Sequence, residues 1–259
     1  MANTLFVSHG APSLPLTPSP ARDFLTELGR QIPRPRAVLV VSAHFQAQVP
    51  TFGAHPKPET VHDFRGFPAA LYELQYPVLG DPGLAEQAAR LLQREGFDAQ
   101  LAGNRGLDHG AWVPLMLMFP EADIPVVQLS LVRGEGPQYH LRLGEALRAL
   151  AADGVLVLGS GAVTHNLSEL DWSSGGAGTQ ALPWVSGFAD WFGARIEAGD
   201  RERLVGYRRE APHAVRNHPS EEHLLPLFVA LGASVTGHGR RLHASVQMRA
   251  LAMDVYAFD

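Results

Sequence analysis

The sequence predicts an α/β fold: a single layered domain whose central, mainly parallel β-sheet is flanked by helices. Two observations carry that expectation. Runs such as Ala37-Val38-Leu39-Val40-Val41 are apolar at successive positions instead of alternating, the pattern of strands covered on both faces. Between such runs lie segments with apolar residues at helical spacing, and strands alternating with helices in this way build parallel sheets. No long internal repeat and no break in composition divides the chain, so residues 1–259 are expected to form one domain.

The elements follow in order. Residues 4–7 form a short strand that runs into Ser8-His9-Gly10. After a proline-rich loop, 21–31 reads as a helix with Asp23 in its first turn and Leu25 and Leu28 on its apolar face; Pro33 and Pro35 stop it. The 37–41 strand ends at Ser42-Ala43-His44. Residues 46–82, rich in Pro, Gly and aromatic side chains, are too long for a simple connector and read as a binding loop. Asp81-Pro82 opens a helix whose Leu84, Ala88, Leu91 and Leu92 share a face, with Gly96 past its end. A strand over 97–101 leads to Leu107-Asp108-His109-Gly110 and a helix over 111–118. Residues 124–131 are a second buried strand, 139–152 an amphipathic helix, and 155–158 a strand entering Gly159-Ser160-Gly161, with His165-Asn166-Leu167 close behind. Residues 173–178 read as a flexible linker, 189–198 as a helix, 208–219 as an irregular segment carrying His213 and His218, and 220–231 as a helix bent by Pro226. Residues 242–246 and 252–258 are expected to close the sheet.

Composition narrows the function. A formal charge of −5 from mixed charges, with no basic run, favours neither nucleic acid nor an anionic membrane as partner. Without cysteine there is no disulfide, thiolate metal site or cysteine nucleophile, so any metal is held by nitrogen and oxygen. No signal segment or membrane-length apolar stretch is present, and a cytoplasmic protein is expected. The sequence carries no signal for a particular oligomeric state. The one oddity is twelve histidines.

Three strands end near histidines: His9, His44 and His165. In a parallel sheet the strand C-termini share one edge, which is where ligands bind. A single such histidine more often bonds a backbone group, but three at one topological position favour a shared site. His109 and His223, at expected helix starts, are further candidates. Neutral imidazole ligates zinc and suits ferrous iron. Spacing alone leaves open whether a metal here is structural or catalytic. No HExxH, phosphate-cradling loop or GxSxG elbow occurs; the small residues of Gly159-Ser160-Gly161 instead suit a close approach of the turn to the site.

Several motifs occur in a characteristic order: Ser8-His9-Gly10-Ala11-Pro12, Ser42-Ala43-His44, Asp63-Phe64-x-Gly66-Phe67-Pro68, Leu107-Asp108-His109-Gly110-Ala111-Trp112, Gly159-Ser160-Gly161-x-x-x-His165-Asn166-Leu167 and Glu222-His223-Leu224-Leu225-Pro226-Leu227. Together they resemble the 4,5-DOPA extradiol dioxygenase-like family of class III (LigB-type) ring-cleaving dioxygenases, over nearly the whole chain. The resemblance implies an α/β domain that opens a catecholic aromatic with O2 at a non-haem metal. It implies His9 and His44 as ligands, and His223 where related enzymes carry a glutamate. It casts His165 as general base or fourth ligand and His109 as a second acid/base or positioning group. Fe(II) is required on this reading; Zn(II) fits the same nitrogens without redox activity. A zinc hydrolase and a non-catalytic superfamily member are the rival readings.

Other residues have plainer expectations. His62, Phe64 and Phe67 are candidates for an aromatic wall over the substrate. Glu222 is a conceivable carboxylate ligand. His55, His140, His238 and His243 read as ordinary surface or core residues, His213 and His218 as loop residues that could line the site but are more often solvated, and Trp112, Met116 and Met118 as core.

Overall fold

The apolar runs become strands and the periodic segments helices in the computed structural model, which describes residues 3–174 and 180–259. The first half contains β1 (Thr4–Ser8), α1 (Pro20–Gln31), β2 (Ala37–Ala47), β3 (Thr51–Gly53), α2 (Ala69–Tyr72), α3 (Pro82–Arg94), β4 (Gln100–Ala102) and α4 (His109–Met118). There follow β5 (Val126–Val132), α5 (Pro137–Ala152), β6 (Val155–Gly161) and α6 (Pro183–Ala198). The last quarter holds the short helices α7 (Arg201–Val205), α8 (Tyr207–Glu210) and α9 (Ala214–Asn217), then α10 (Leu225–Ala233), β7 (Gly239–His243), β8 (Val246–Gln247), β9 (Leu251–Ala252) and β10 (Val255–Phe258).

Eight strands form one sheet in the order β4-β3-β5-β2-β6-β1-β10-β7. Its centre, β5-β2-β6-β1, is parallel throughout, and antiparallel pairs appear only toward the edges. Side chains on β2 explain the continuous apolar run. Val38 and Val40 pack with Leu25, Trp112 and Leu115 on the α1/α4 side. Leu39 and Val41 pack with Leu143, Leu147 and Phe228 on the α5/α10 side. Both faces are therefore covered, each buried aliphatic side chain contributing about 1.5–3 kcal/mol. Among the described residues no helix is long and apolar enough to cross a membrane.

Several local expectations change. The strand carrying His44 does not end there. Its parallel pairing with β6 stops at Ser42, but β2 continues to Ala47 through a bulge, since Val41 pairs with Leu129 and Gln46 with Leu131. Bulges of this kind re-aim side chains, and here one turns His44 out of the ladder. Pro226 does not bend a helix: it occupies the first turn of α10, where its missing N–H costs nothing. Residues 221–224 are turn, so His223 precedes the helix instead of riding on it. The expected 242–246 strand is split between β7, on the main sheet, and β8, which pairs with β9. Of the expected linker, Ser173 and Ser174 belong to the 3-10 turn Trp172–Ser174, and 175–178 lie outside the described residues.

Candidate metal centre and active site

Three backbone ends bring imidazoles together. His9 follows β1 directly, its N–H donating to the Gly161 carbonyl of neighbouring β6 (3.0 Å). His44 projects from the β2 bulge. His223 is brought in from the turn before α10, where its carbonyl accepts the Ala162 N–H at 2.8 Å. The ring centroids of His9 and His44 are 5.1 Å apart, those of His9 and His223 5.6 Å, and those of His44 and His223 4.9 Å. One nitrogen from each of the three lies within 4.8 Å of the others, the spacing of ligands around one ion.

The hydrogen bonds decide which nitrogens face inward. The Ser160 hydroxyl donates its only proton to the Gly110 carbonyl. The His9 Nδ1, 3.0 Å from the same oxygen, must then be the donor, which leaves Nε2 with a free lone pair. His223 Nδ1 lies 3.1 Å from Glu222 Oε1, and its buried Nε2 has no partner. His44 Nε2 is 3.2 Å from His9 Nε2, a contact satisfied either by one shared proton or by a cation between the lone pairs. An outer partner on one ring nitrogen with the other free is how metal-bound histidines are oriented. An orphaned buried Nε2 and an acceptor pair facing each other are the two features that fit a metal here.

Electrostatics keep these rings neutral. Burial pulls the pKa of His9 and His223 well below the ordinary histidine value, with neighbouring imidazoles adding to the effect. His44 is lowered to about 4, by burial first and then by His109, against the opposing pull of Asp108 and Asp63. Neutral imidazole is the ligating form.

Two further histidines border this trio. The His165 ring stacks on His223 with centroids 3.4 Å apart and planes 8° from parallel, and burial lowers its pKa. His109 is the first residue of α4, which Asp108 caps by accepting the Ala111 N–H. Its backbone N–H and its Nδ1–H both donate to Asp63 Oδ1 at 2.9 Å, so its Nε2 is the nitrogen left over. Burial works against the Asp63 carboxylate, yet these bonds outweigh it and bring the group down to about 2. The other Asp63 oxygen lies 3.9 Å from His44 Nδ1, beyond hydrogen-bond reach.

Sequence reasoning quoted Asp63 within a motif without giving it a task; a carboxylate amid the aromatics of a long loop was the available signal. It missed the brace beneath the site. Buried Asp108 accepts from Ser42 (2.6 Å), Arg105 (2.6 Å) and Gln128, tying β2, α4 and β5 together. It left His218 between a site-lining and a solvated loop position; His218 is neither, being fully buried and donating from Nε2 to the Val163 carbonyl at 2.7 Å. Glu222 accepts from Ser220 as well as from His223; its carboxylate lies close enough to His165 and His223 to be a ligand group, as the sequence reading allowed.

The glycines matter where backbone closes on backbone. A Cβ on Gly161 would meet the carbonyl of His223, and one on Gly110 would meet Ser42 Oγ and crowd the rings of His44 and His9. The close approach expected of Gly159-Ser160-Gly161 is of this kind.

A cavity of about 390 Å³ opens over the cluster, with His9, His44, His109, His165 and His223 at one end and mainly apolar walls. Phe64 and Phe67 line it, together with Trp172. His62 does not; this corrects the expectation that it forms part of the wall. It donates to the Leu74 carbonyl at 3.0 Å and stands edge-on behind Phe64 and Trp112, holding the loop from outside.

Comparison with known proteins agrees with this geometry. A family profile described as "Catalytic LigB subunit of aromatic ring-opening dioxygenase" matches residues 4–255. The chain is 41% identical to a 4,5-DOPA dioxygenase extradiol of Beta vulgaris over 89% of this chain and 86% of that one. It is 39% identical to the protein of the same name from Portulaca grandiflora, over 89% and 85% of the two chains. A crystal structure of an uncharacterized protein, JW3007, from Escherichia coli K12 superposes with a TM-score of 0.79 at 30% identity, covering 98% of each chain.

Proposed function

The chain belongs to the LigB family of aromatic ring-opening dioxygenases and is an extradiol ring-cleaving enzyme, and on that premise we propose that it opens a catechol with O2 at ferrous iron held by His9, His44 and His223. The observation that carries this reading is the convergence of three imidazoles, two of them buried, with two Nδ1 atoms bonded outward and an unpartnered Nε2 facing in. Nitrogen donors accept iron(II) and zinc alike. Ferrous iron would supply the redox capacity that reaction with O2 needs and that zinc lacks.

The chain's own residues do the remaining work. His165 is the base: burial keeps it neutral, so it is ready to take a proton from a catechol hydroxyl. His109 is the second acid/base group. Asp63 holds its Nδ1–H, which fixes the ring and leaves Nε2 to exchange a proton with a bound ring. Phe64 and Phe67, packed at 5.4 Å, offer an apolar face for the aromatic substrate and keep water from it.

Anaerobic reconstitution with Fe(II) or Zn(II), followed by oxygen and a panel of catechols, tests the proposal. A yellow ring-opened product is expected from the iron form and none from the zinc form. Hydrolysis of esters or amides by the zinc form, with no catechol consumed by the iron form, would identify a zinc hydrolase instead.

A further inference from the structure

Buried polar side chains in this protein are satisfied from within, with one exception. Among the described residues, Gln247 is only 4% exposed, yet its side-chain amide makes no hydrogen bond. The other buried polar side chains, from Asp108 and Gln128 to Asn217 and Asp254, each have at least one partner. An amide kept from water without a partner is costly. Here it faces a cavity: Gln247 lines a pocket of about 210 Å³ together with Ser13 and Thr17.

That pocket adjoins the histidine cavity. Phe67, Trp172 and Met248 line both, so one ligand can run from the first into the second along a continuous wall. The Gln247 amide stands at the seam. Its Oε1 is 3.5 Å from the position of a Cβ on Gly10, the residue after His9 and itself part of the histidine cavity. Among the described residues no charged side chain lines the second pocket.

The seam is held in place by strained backbone. Gln247 pairs with Leu251 across β8 and β9, and the turn between them puts Met248 at φ +48° and Arg249 at φ +59°. Non-glycine residues stay in this conformation only where their surroundings over-determine it, and such strain gathers at functional sites. The surroundings do so here: the Met248 carbonyl accepts the Asp171 N–H and the Arg249 carbonyl the Leu182 N–H, both at 3.0 Å. Gln247 and Met248 are thereby tied to the segment that carries Trp172.

We propose that the second pocket is a subsite for the ring substituent of the aromatic substrate, and that Gln247 is its specificity residue. A primary amide offers both donors and an acceptor, and a pocket without a counter-charge disfavours a carboxylate or an ammonium group. The substituent that fits is uncharged, long enough to pass Met248, and ends in a group that both donates and accepts; a carboxamide is the simplest. The aromatic end of this assignment rests on the ring-cleavage reading, and the substituent end on the pocket and Gln247.

Four catechols test it: 5-(3,4-dihydroxyphenyl)pentanamide, its apolar isostere 4-(5-methylhexyl)catechol, the corresponding pentanoate, and 4-methylcatechol, whose substituent is too short to leave the first cavity. With iron-loaded protein the amide is expected to surpass both long analogues in kcat/KM. Gln247→Met should lower the amide-to-isostere ratio about tenfold and leave 4-methylcatechol unchanged. Because this variant removes an unsatisfied group, its metal-free urea midpoint should equal or exceed that of the parent, which separates lost recognition from lost folding. Ser13→Phe, which fills the second pocket from a wall that the histidine cavity does not share, should depress all three long probes relative to 4-methylcatechol. Equal loss for amide and isostere in Gln247→Met, an amide no better than the pentanoate in the unmodified protein, or equal effects of Ser13→Phe on long and short probes would overturn the assignment. If calorimetric titration shows amide binding that depends on Gln247 while none of the four is ring-opened, the subsite stands and the dioxygenase reading falls.

Discussion

Replacing Ser160 by alanine tests how the centre is set, because one buried hydroxyl serves two groups. Ser160 is fully inaccessible; it donates to the Gly110 carbonyl and accepts from His9 Nδ1. The alanine variant leaves a buried carbonyl without its donor and a buried N–H without its acceptor. Each such loss costs about 1–3 kcal/mol, so the metal-free protein is expected to lose roughly 2–6 kcal/mol, read as a lower urea midpoint with an unchanged slope. His9 is also freed to change tautomer. Loss of an outer partner typically weakens a metal site about 10–100-fold, which corresponds to roughly 1.4–2.7 kcal/mol. Competition with a chromophoric chelator at pH 7.5 measures that change directly. A variant that binds metal as tightly as the parent protein refutes the tautomer argument, whatever its stability.

Two further outcomes are expected. His44→Ala should abolish metal binding, whereas His165→Gln should suppress turnover and keep most of the metal; equal loss of metal in both, measured by elemental analysis, makes His165 a full ligand and not the base. Buried His140 donates to Gly136 and accepts the Val132 N–H, and burial lowers its pKa to about 4. In the unfolded chain it protonates near 6.5 but in the fold only near 4, so its contribution is complete above pH 6.5 and is lost as pH falls toward 4, about 3 kcal/mol in all. His140→Gln should flatten the metal-free urea midpoint between pH 7 and pH 4.5, and an unchanged pH slope would contradict this.

Much of the frame was legible because burial on both faces leaves an unbroken apolar run, as in 37–41 and 155–158. The common edge of those strands and of 4–7 then points to His9, His44 and His165, which share one cavity. What escaped the sequence was non-local. The bulge that aims His44 depends on how β2 registers with β5, whose partner residue lies 85 positions away at Gln46↔Leu131. Pro226 read as a helix interruption because the turn of 221–224 has no distinctive signal and is imposed by the contact of His223 with Ala162. His62 was misplaced for a related reason: an aromatic loop announces packing but not which ring faces in. Asp63, Asp108 and Ser160 were invisible as partners because each acts on a residue of another element.

The pairing of β1 has a consequence for how the enzyme is made. This strand lies between β6 and β10, with Thr4 opposite both Val157 and Phe258. β1 is therefore translated some 250 residues before β10 and waits for it before both its edges are satisfied. Contacts of such long sequence separation form late and slowly. His9, attached to that strand, has no fixed position in a nascent chain, and neither has His223 until α10 is in place. On the proposed metal reading, loading therefore follows the pairing of β1 with β10, and a fragment lacking β10 is expected to be metal-free and sensitive to proteases.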